Sequence, residues 1–297
     1  MATKPEPTIP GPDPDPRPAR KQLPPGSCDA HAHLFGPAER YPYQPDRSYT
    51  PPDAARASYV ALLKTFGFDR AVFVQPSVYG TDNRLMLYTL ERARDTGCAI
   101  SWRGIAVVDH TVSDETLETM DALGVRGVRI NLLFRGGVDF TLAEELARRV
   151  ASLGWHMQFL VDITETESFS RNISELAVPS VIDHMGHFPA VRGPGEPAFQ
   201  DLLSVMEEGR TWVKLSGPNR IDDSPRPPFP RAAALAQALL EKHPEQLVFG
   251  TDWPHVQLPT PMPNDGDLVN ALFDWTENDE ALLARVLVHN PARLYGF

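Results

Sequence analysis

The sequence predicts an α/β fold built as a single distorted (β/α)8 barrel of the TIM type. Three observations carry this expectation. From Ser27 onward, short β-rich runs alternate with longer helical patterns, the mark of βαβ units and a parallel sheet. Eight such runs occur in about 270 residues, close to the usual size of one barrel of this type. Several runs, such as Ala71-Val-Phe-Val and Ile105-Ala-Val-Val, are continuously apolar, as strands covered on both faces are. A doubly wound open sheet is the competing architecture. No Gly-x-Gly-x-x-Gly stretch follows the first run, which leaves that alternative without a dinucleotide site.

The expected strands are Ser27–His33, Arg70–Gln75, Arg103–Val108, Gly127–Leu132, His156–Val161, Ser180–His184, Trp212–Leu215 and Leu247–Thr251. Between them, Ala54–Phe66 places Tyr59, Leu62, Leu63 and Phe66 at helical spacing and stops at Gly67. Thr141–Leu153 reads as a helix with Thr141 as N-cap, Glu144 and Glu145 early, Arg148 and Arg149 late, and Gly154 just beyond. Asp267–Val288 is helical with a break near Thr276. The loops richest in proline and glycine are 41–52, 187–197, 222–230 and 257–266, which in a barrel build the active-site face.

Residues 1–26 hold nine of the 30 prolines. With few backbone donors and little to bury, this segment is expected to be a disordered, extended arm ahead of the (β/α)8 domain over 27–297. An SH3-like ligand is the alternative use of such a stretch.

The 297 residues carry 28 Lys and Arg against 39 Asp and Glu, a net charge of −11. That balance offers no basic field for a phosphate backbone, so no nucleic-acid partner is expected. No run approaches the ~18–20 apolar residues of a membrane span, and residues 1–26 lack the apolar core of a secretory signal. A cytoplasmic monomer or small homo-oligomer is the expectation. Two cysteines, Cys28 and Cys98, make neither a disulfide framework nor a thiolate zinc cage.

The first run reads Cys28-Asp-Ala-His-Ala-His. His31 and His33 are two apart and share one side of a strand, the inward side if they serve a metal or substrate. Strict alternation then turns Cys28, Ala30 and Ala32 toward the helices, which makes Cys28 a core filler. The last run emerges as Gly250-Thr-Asp-Trp-Pro-His, and Asp252 at a buried strand's end can bind a metal or take a proton from water. A turn aspartate is the plainer alternative. His184 emerges after the sixth run, so three strand ends offer imidazole or carboxylate to one mouth.

Arg129 and Arg135 are six apart and share a face while the fourth run stays extended; Arg126 faces the other way. Arg220 follows the seventh run. A guanidinium inside a barrel needs an anion, and its planar fork suits a carboxylate or sulfonate. Structural salt bridges are the alternative for each arginine taken singly. Ser77, Tyr79 and Tyr49 add hydroxyls able to hydrogen-bond an anion.

On these residues the chain resembles the amidohydrolase superfamily, in the branch typified by 2-pyrone-4,6-dicarboxylate lactonase. The likeness rests on Asp29-Ala-His-Ala-His-Leu-Phe-Gly-Pro, Gln75-Pro-Ser-Val-Tyr-Gly-Thr-Asp-Asn, Arg126-Gly-Val-Arg-Ile-Asn, Val181-Ile-Asp-His-Met-Gly, Gly250-Thr-Asp-Trp-Pro-His and Asn290-Pro-Ala-Arg-Leu-Tyr, in that order. It spans Ser27 to Tyr295.

The resemblance implies an amidohydrolase-like barrel that hydrolyses a small anionic lactone. Asp252 would be the general base; His31, His33 and His184 would surround the lactone carbonyl. Arg129, Arg135 and Arg220, with Ser77 and Tyr49, would hold the anionic groups. Two departures stand out: Tyr79 where the branch has histidine, and Leu160 where it has tyrosine. They turn the expectation from the pyrone dicarboxylate toward 4-sulfomuconolactone, opened by water to maleylacetate and sulfite. The pyrone dicarboxylate, and sugar-acid lactones hydrolysed or isomerised, are the alternatives. The branch implies that no cofactor is required. His31, His33 and Asp252 are the ligands if a single zinc is bound, and no lysine or glutamate after the fourth run suggests a bridged pair of metals.

Overall fold

The computed structural model describes residues 8–133, 140–224, 226–258 and 261–297. Its centre is an eight-stranded sheet in sequential order, every neighbouring pair parallel. The strands are β1 (Cys28–Ala32), β2 (Arg70–Val74), β3 (Ser101–Ala106), β4 (Val125–Asn131), β5 (His156–Leu160), β6 (Ser180–Ile182), β7 (Thr211–Leu215) and β8 (Leu247–Phe249). Each coincides with an expected run to within a few residues.

The helices that follow β1 to β4 are α1 (Arg56–Phe66), α2 (Arg84–Asp95), α3 (Asp114–Leu123) and α4 (Phe140–Val150). Then come α5 (Phe169–Ser174), α6 (Pro197–Met206), the short α7 (Pro218–Ile221) and α8 (Pro230–Lys242). After β8 lie α9 (Asp265–Trp275), α10 (Glu280–Ala284) and α11 (Asn290–Tyr295). The expected break near Thr276 is the C-cap of α9. Thr141 sits inside the first turn of α4, one residue past its start, rather than capping it.

The ends of β8 and β1 close the sheet. The Asp252 amide donates to His31 O at 2.8 Å, and the His33 amide to Trp253 O at 2.7 Å. Gly250 is what permits this approach, because a Cβ there would stand 2.5 Å from the Cβ of His31. The buried Asp29 carboxylate locks the seam, accepting from Tyr59 Oη of α1 and from both the amide and hydroxyl of Thr251.

The principal core lies between the outer strand faces and the helices, with Phe73, Met86, Leu146, Phe159, Leu239 and Phe249 among its members. A second cluster joins Cys28, Ala30, Val72, Val181, Trp212, Val248 and Tyr295. Strands β2 and β6 stand across the barrel and can meet only through its interior, so this cluster fills the barrel below the site, with Tyr295 of α11 among its members.

Cys28 and Ala30 therefore face inward, which corrects the strict alternation expected of β1. The register between β1 and β2 slips at Asp29–Ala32, where three steps on β1 match two on β2. This bulge brings His31 to the interior as well and leaves Ala32 among the helices. Cys28 remains a packing residue, and burial pushes its thiol pKa well up.

Over its described part the proline-rich segment makes contacts with the barrel. Ile9 donates to Thr50 O, and the buried Leu23 belongs to the principal core. Arg17 and Arg20 pair with Asp267 and Asp274 of α9, while their amides donate to Asn264 and Asn270. A Cβ at Gly266 would meet Arg17 O at 2.0 Å. Proline removes donors from this stretch, but the two arginines restore enough of them to fasten it along α9.

Candidate active site

The C-terminal ends of the strands open into a cavity of about 510 Å3. His33, His184 and Asp252 line it with Arg129 and Arg220; Tyr49, Ser77 and Leu160 form further wall, and His187 joins them. His31 lies immediately beneath, fully buried. Segments separated by more than 200 residues thus converge as expected.

Asp252 stands at the centre. Arg220 Nε and Nη2 each lie 2.6 Å from its Oδ2. Its Oδ1 has no hydrogen-bond partner and faces three imidazole Nε2 atoms: His184 at 3.6 Å, His31 at 3.8 Å and His33 at 4.0 Å. Burial alone would raise the Asp252 carboxyl, but Arg220 and the imidazoles outweigh it and hold the group well below the usual carboxylate range. Asp252 has φ 67° and His184 has φ 50°, left-handed conformations that few side-chain-bearing residues adopt. Both sit on sharp turns directly after their strands.

Each imidazole is oriented by a partner on Nδ1. His33 Nδ1 lies 2.8 Å from Val74 O, so it carries the proton and leaves the Nε2 lone pair facing the site. His184 Nδ1 is 2.8 Å from Ser216 Oγ, and His31 Nδ1 is 3.3 Å from both Asp183 Oδ1 and Lys214 Nζ. Burial lowers all three pKa values, and for His33 and His184 the shift is large. The site holds neutral rings at ordinary pH.

A second polar layer lies under the histidines. Lys214 Nζ of β7 donates to Ala30 O and Gln158 Oε1 and lies 3.5 Å from Asp183 Oδ1. Asp183 Oδ2 accepts from Gln158 Nε2 and from Arg129 Nε. Burial draws the Lys214 pKa down to about 8, against the pull of Asp183. Burial would raise Asp183, yet Lys214, His31 and Arg129 hold it far below its ordinary value. Counting both layers, three cations face two carboxylates, which favours an anion in the mouth.

Sequence reasoning missed Lys214, Asp183, Gln158 and Ser216. Lys214 gave a signal, a lone charge inside the apolar run Trp212-Val-Lys-Leu. Among the expected anion contacts, Arg129 lines the cavity while its Nε reaches Asp183. Arg220 is engaged with Asp252 and with Val256 O. Tyr49 and Ser77 both stand in the cavity wall. Tyr79 does not line the cavity: its hydroxyl accepts from the Gly36 amide and its ring packs on Phe35 and Tyr43, because the turn 77–79 rotates it behind the wall. Arg135 lies outside the described residues. His187 is an addition, its Nε2 buried without a partner. Arg126 faces away, pairing with Asp121.

Two donor sets could hold a metal ion, His31/His33/Asp252 and His31/Asp183/His184. Nitrogen and carboxylate donors suit zinc. The Nδ1 partners, a carboxylate, a carbonyl and a hydroxyl, are the outer contacts that hold ligating imidazoles in place. The unpartnered Oδ1 of Asp252 completes the fit.

The buried rings set the acid limit of stability. His156 and His187 fall to about 3, chiefly through burial, against 6.5 when exposed. Below pH ~6.5 the unfolded chain takes up protons that the folded one refuses, so the fully buried His156 costs about 1.4 kcal/mol per pH unit down to its folded pKa, and the half-buried His187 at the cavity wall costs less. Asp29, raised to about 6 mainly by burial, acts oppositely between 3.8 and 6, but it is one group against several. The melting temperature, followed by calorimetry from pH 7.5 to 5, is expected to fall; a constant or rising value contradicts this assignment.

A single parallel barrel with imidazoles, a carboxylate and cations gathered at its C-terminal mouth defines a TIM-barrel hydrolase. The family model described as Amidohydrolase matches residues 28–297, and the chain belongs to that family. It is 35% identical over 291 residues to the 4-sulfomuconolactone hydrolase of Hydrogenophaga intermedia, covering 96% of this chain and 94% of the relative. It is 36% identical over 285 residues to the 2-pyrone-4,6-dicarboxylate hydrolase of Comamonas testosteroni, covering 92% and 91%. The crystal structure of a putative 2-pyrone-4,6-dicarboxylic acid hydrolase from Pseudomonas putida superposes with a TM-score of 0.80 at 31% identity, covering 92% of this chain and 98% of that one. No described helix is long and apolar enough to cross a membrane.

Proposed function

We propose that this enzyme opens a small anionic lactone with water, and that its substrate is 4-sulfomuconolactone, giving maleylacetate and sulfite. The observation that carries the reading is the free Oδ1 of Asp252 among three imidazole Nε2 atoms, beside cavity-lining arginines. Asp252 takes a proton from water as the water oxygen attacks the lactone carbonyl. His184, whose Nδ1 can accept from Ser216, presents Nε2–H to the oxygen that becomes negative. His33, with its proton committed to Val74 O, presents an acceptor Nε2 to His31 Nε2 at 3.3 Å, which ties the two rings together beside the water. The ring C–O bond then breaks, and the alkoxide recovers the proton from Asp252. The resulting carbon bears hydroxyl and sulfonate; its C–S bond breaks with the electron pair leaving as sulfite, the hydroxyl proton is lost, and a ketone forms. A divalent ion held by His31, His33 and Asp252 would, when bound, polarise the carbonyl and acidify water.

The salt bridge to Arg220 makes Asp252 a weak base in the free enzyme. An anionic substrate group beside Arg220 shares that cation and raises the Asp252 pKa toward a working value, so the base is activated where substrate is bound. Leu160 lines the wall where the resemblance implies a tyrosine, and this lost hydroxyl is what favours the sulfonated lactone over the pyrone dicarboxylate.

The test is incubation of purified protein with each of the two lactones, with and without chelator, followed by NMR and sulfite determination. Maleylacetate and sulfite from 4-sulfomuconolactone are expected, with slower opening of the pyrone. Turnover of the pyrone alone would reassign the substrate, and an isomerised lactone would replace hydrolysis with isomerisation.

A further inference from the structure

Outside the barrel mouth, the segment leaving β1, the start of α1 and one face of α2 enclose a second cavity of about 370 Å3. Its floor is apolar and buried, formed by Leu34, Phe35 and Leu85. Tyr41 belongs to the same floor; it is 6% exposed, and its hydroxyl has no hydrogen-bond partner.

Three arginines, Arg40, Arg56 and Arg92, surround this floor. Among the described residues none of the three forms an ion pair, and the carboxylates next to them in sequence, Glu39 and Glu91, do not pair with them. Arg40 lies over the rings of Tyr88 at 4.4 Å and Tyr41 at 5.2 Å. Arg56 stands over Trp102 at 5.9 Å, and its buried Nε has no hydrogen-bond partner.

The chain as a whole carries a net charge of −11. Three arginines on one cavity, none of them ion-paired, set more cation than carboxylate around it, even with the Asp53 carboxylate beside Gly36 of the same wall, and an anion would restore the balance. The two unpartnered polar atoms, one an O–H and one an N–H, are both able to donate, which again calls for an acceptor. A bare inorganic anion would leave the apolar floor unused, whereas planar guanidinium forks match the two oxygens of a carboxylate.

We propose that this cavity binds a small ring-bearing carboxylate, with the ring on Leu34, Phe35 and Leu85 and the carboxylate held by the arginines and Tyr41 Oη. The site is separate from the barrel mouth and does not depend on the lactone reading.

The test is calorimetric titration of benzoate into the full-length protein, its Arg40→Ala/Arg92→Ala variant and its Tyr41→Phe variant. Arg40 and Arg92 are exposed, so their loss leaves the fold intact, which circular dichroism checks. Saturable binding to the native protein is expected, weakened roughly ten-fold or more in the double variant, as loss of charge-assisted contacts implies. Tyr41→Phe, which removes only the hydroxyl, is expected to weaken binding by a smaller factor, with conversion at the barrel mouth unchanged in both. Absence of saturable binding, or equal binding by the double variant, overturns the site. Inorganic phosphate binding as tightly as benzoate overturns the ring-bearing class.

Discussion

Replacing Asp252 by asparagine is expected to lower turnover of an anionic lactone by about 10²- to 10⁴-fold, the range for loss of a positioned general base. The substitution keeps the size of the side chain, and the backbone bond from residue 252 to His31 O does not involve it. Asparagine also tolerates the left-handed conformation at φ 67°. What disappears is the proton acceptor at Oδ1 and the charge facing Arg220. Arg220 lines an open cavity, where water can solvate its freed edge, so the variant is expected to fold and to melt only a few degrees lower. Steady-state kinetics with near-UV circular dichroism separates the two effects. Near-native turnover would remove Asp252 from the mechanism.

The largest stability effect is expected at Lys214→Met. Its ammonium is completely buried and is held by Ala30 O, Gln158 and Asp183. Methionine fills a similar volume but leaves Asp183 with Arg129 Nε at 3.3 Å as its remaining cationic side chain. Breaking a buried pair by removing one partner costs about 3–5 kcal/mol. Urea unfolding at neutral pH is the measurement. The companion Lys214→Met/Asp183→Asn is expected to be less destabilised than the single variant, because the ammonium's lost partner goes with it, while Arg129, left without Asp183, lines the open cavity where water reaches it. If the double variant is the weaker of the two, the buried layer does not act as a charge network. Turnover is expected to fall in both, since His31 loses the groups that orient its Nδ1.

Much of this arrangement was readable along the chain. All eight strands fell where apolar β-rich runs predicted them, because strands covered on both faces need continuous hydrophobic sequence. His33, His184, Asp252, Arg129 and Arg220 were legible as polar groups at the ends of such runs, and all five reach one cavity. The side that Cys28 faces was not legible. A period of two assigns it outward, but the bulge at Asp29–Ala32 is set by how β1 meets β2 and leaves no local mark. Tyr79 looked equivalent to Ser77 and Tyr49 until the turn 77–79 placed it behind the wall.

By itself the sequence determined the barrel and the strand ends at which its polar groups emerge into one cavity, since these follow from periodicity and from residue types that cannot be buried alone. The tertiary structure decided how the charges are shared. Arg220 serves Asp252 before it can serve a substrate, Lys214 and Asp183 underlie the histidines, and the proline-rich stretch is tied to α9. Those pairings join residues tens to hundreds of positions apart. Which cation neutralises which carboxylate depends on distances of a few ångströms across a closed barrel, a quantity that spacing along a chain does not contain.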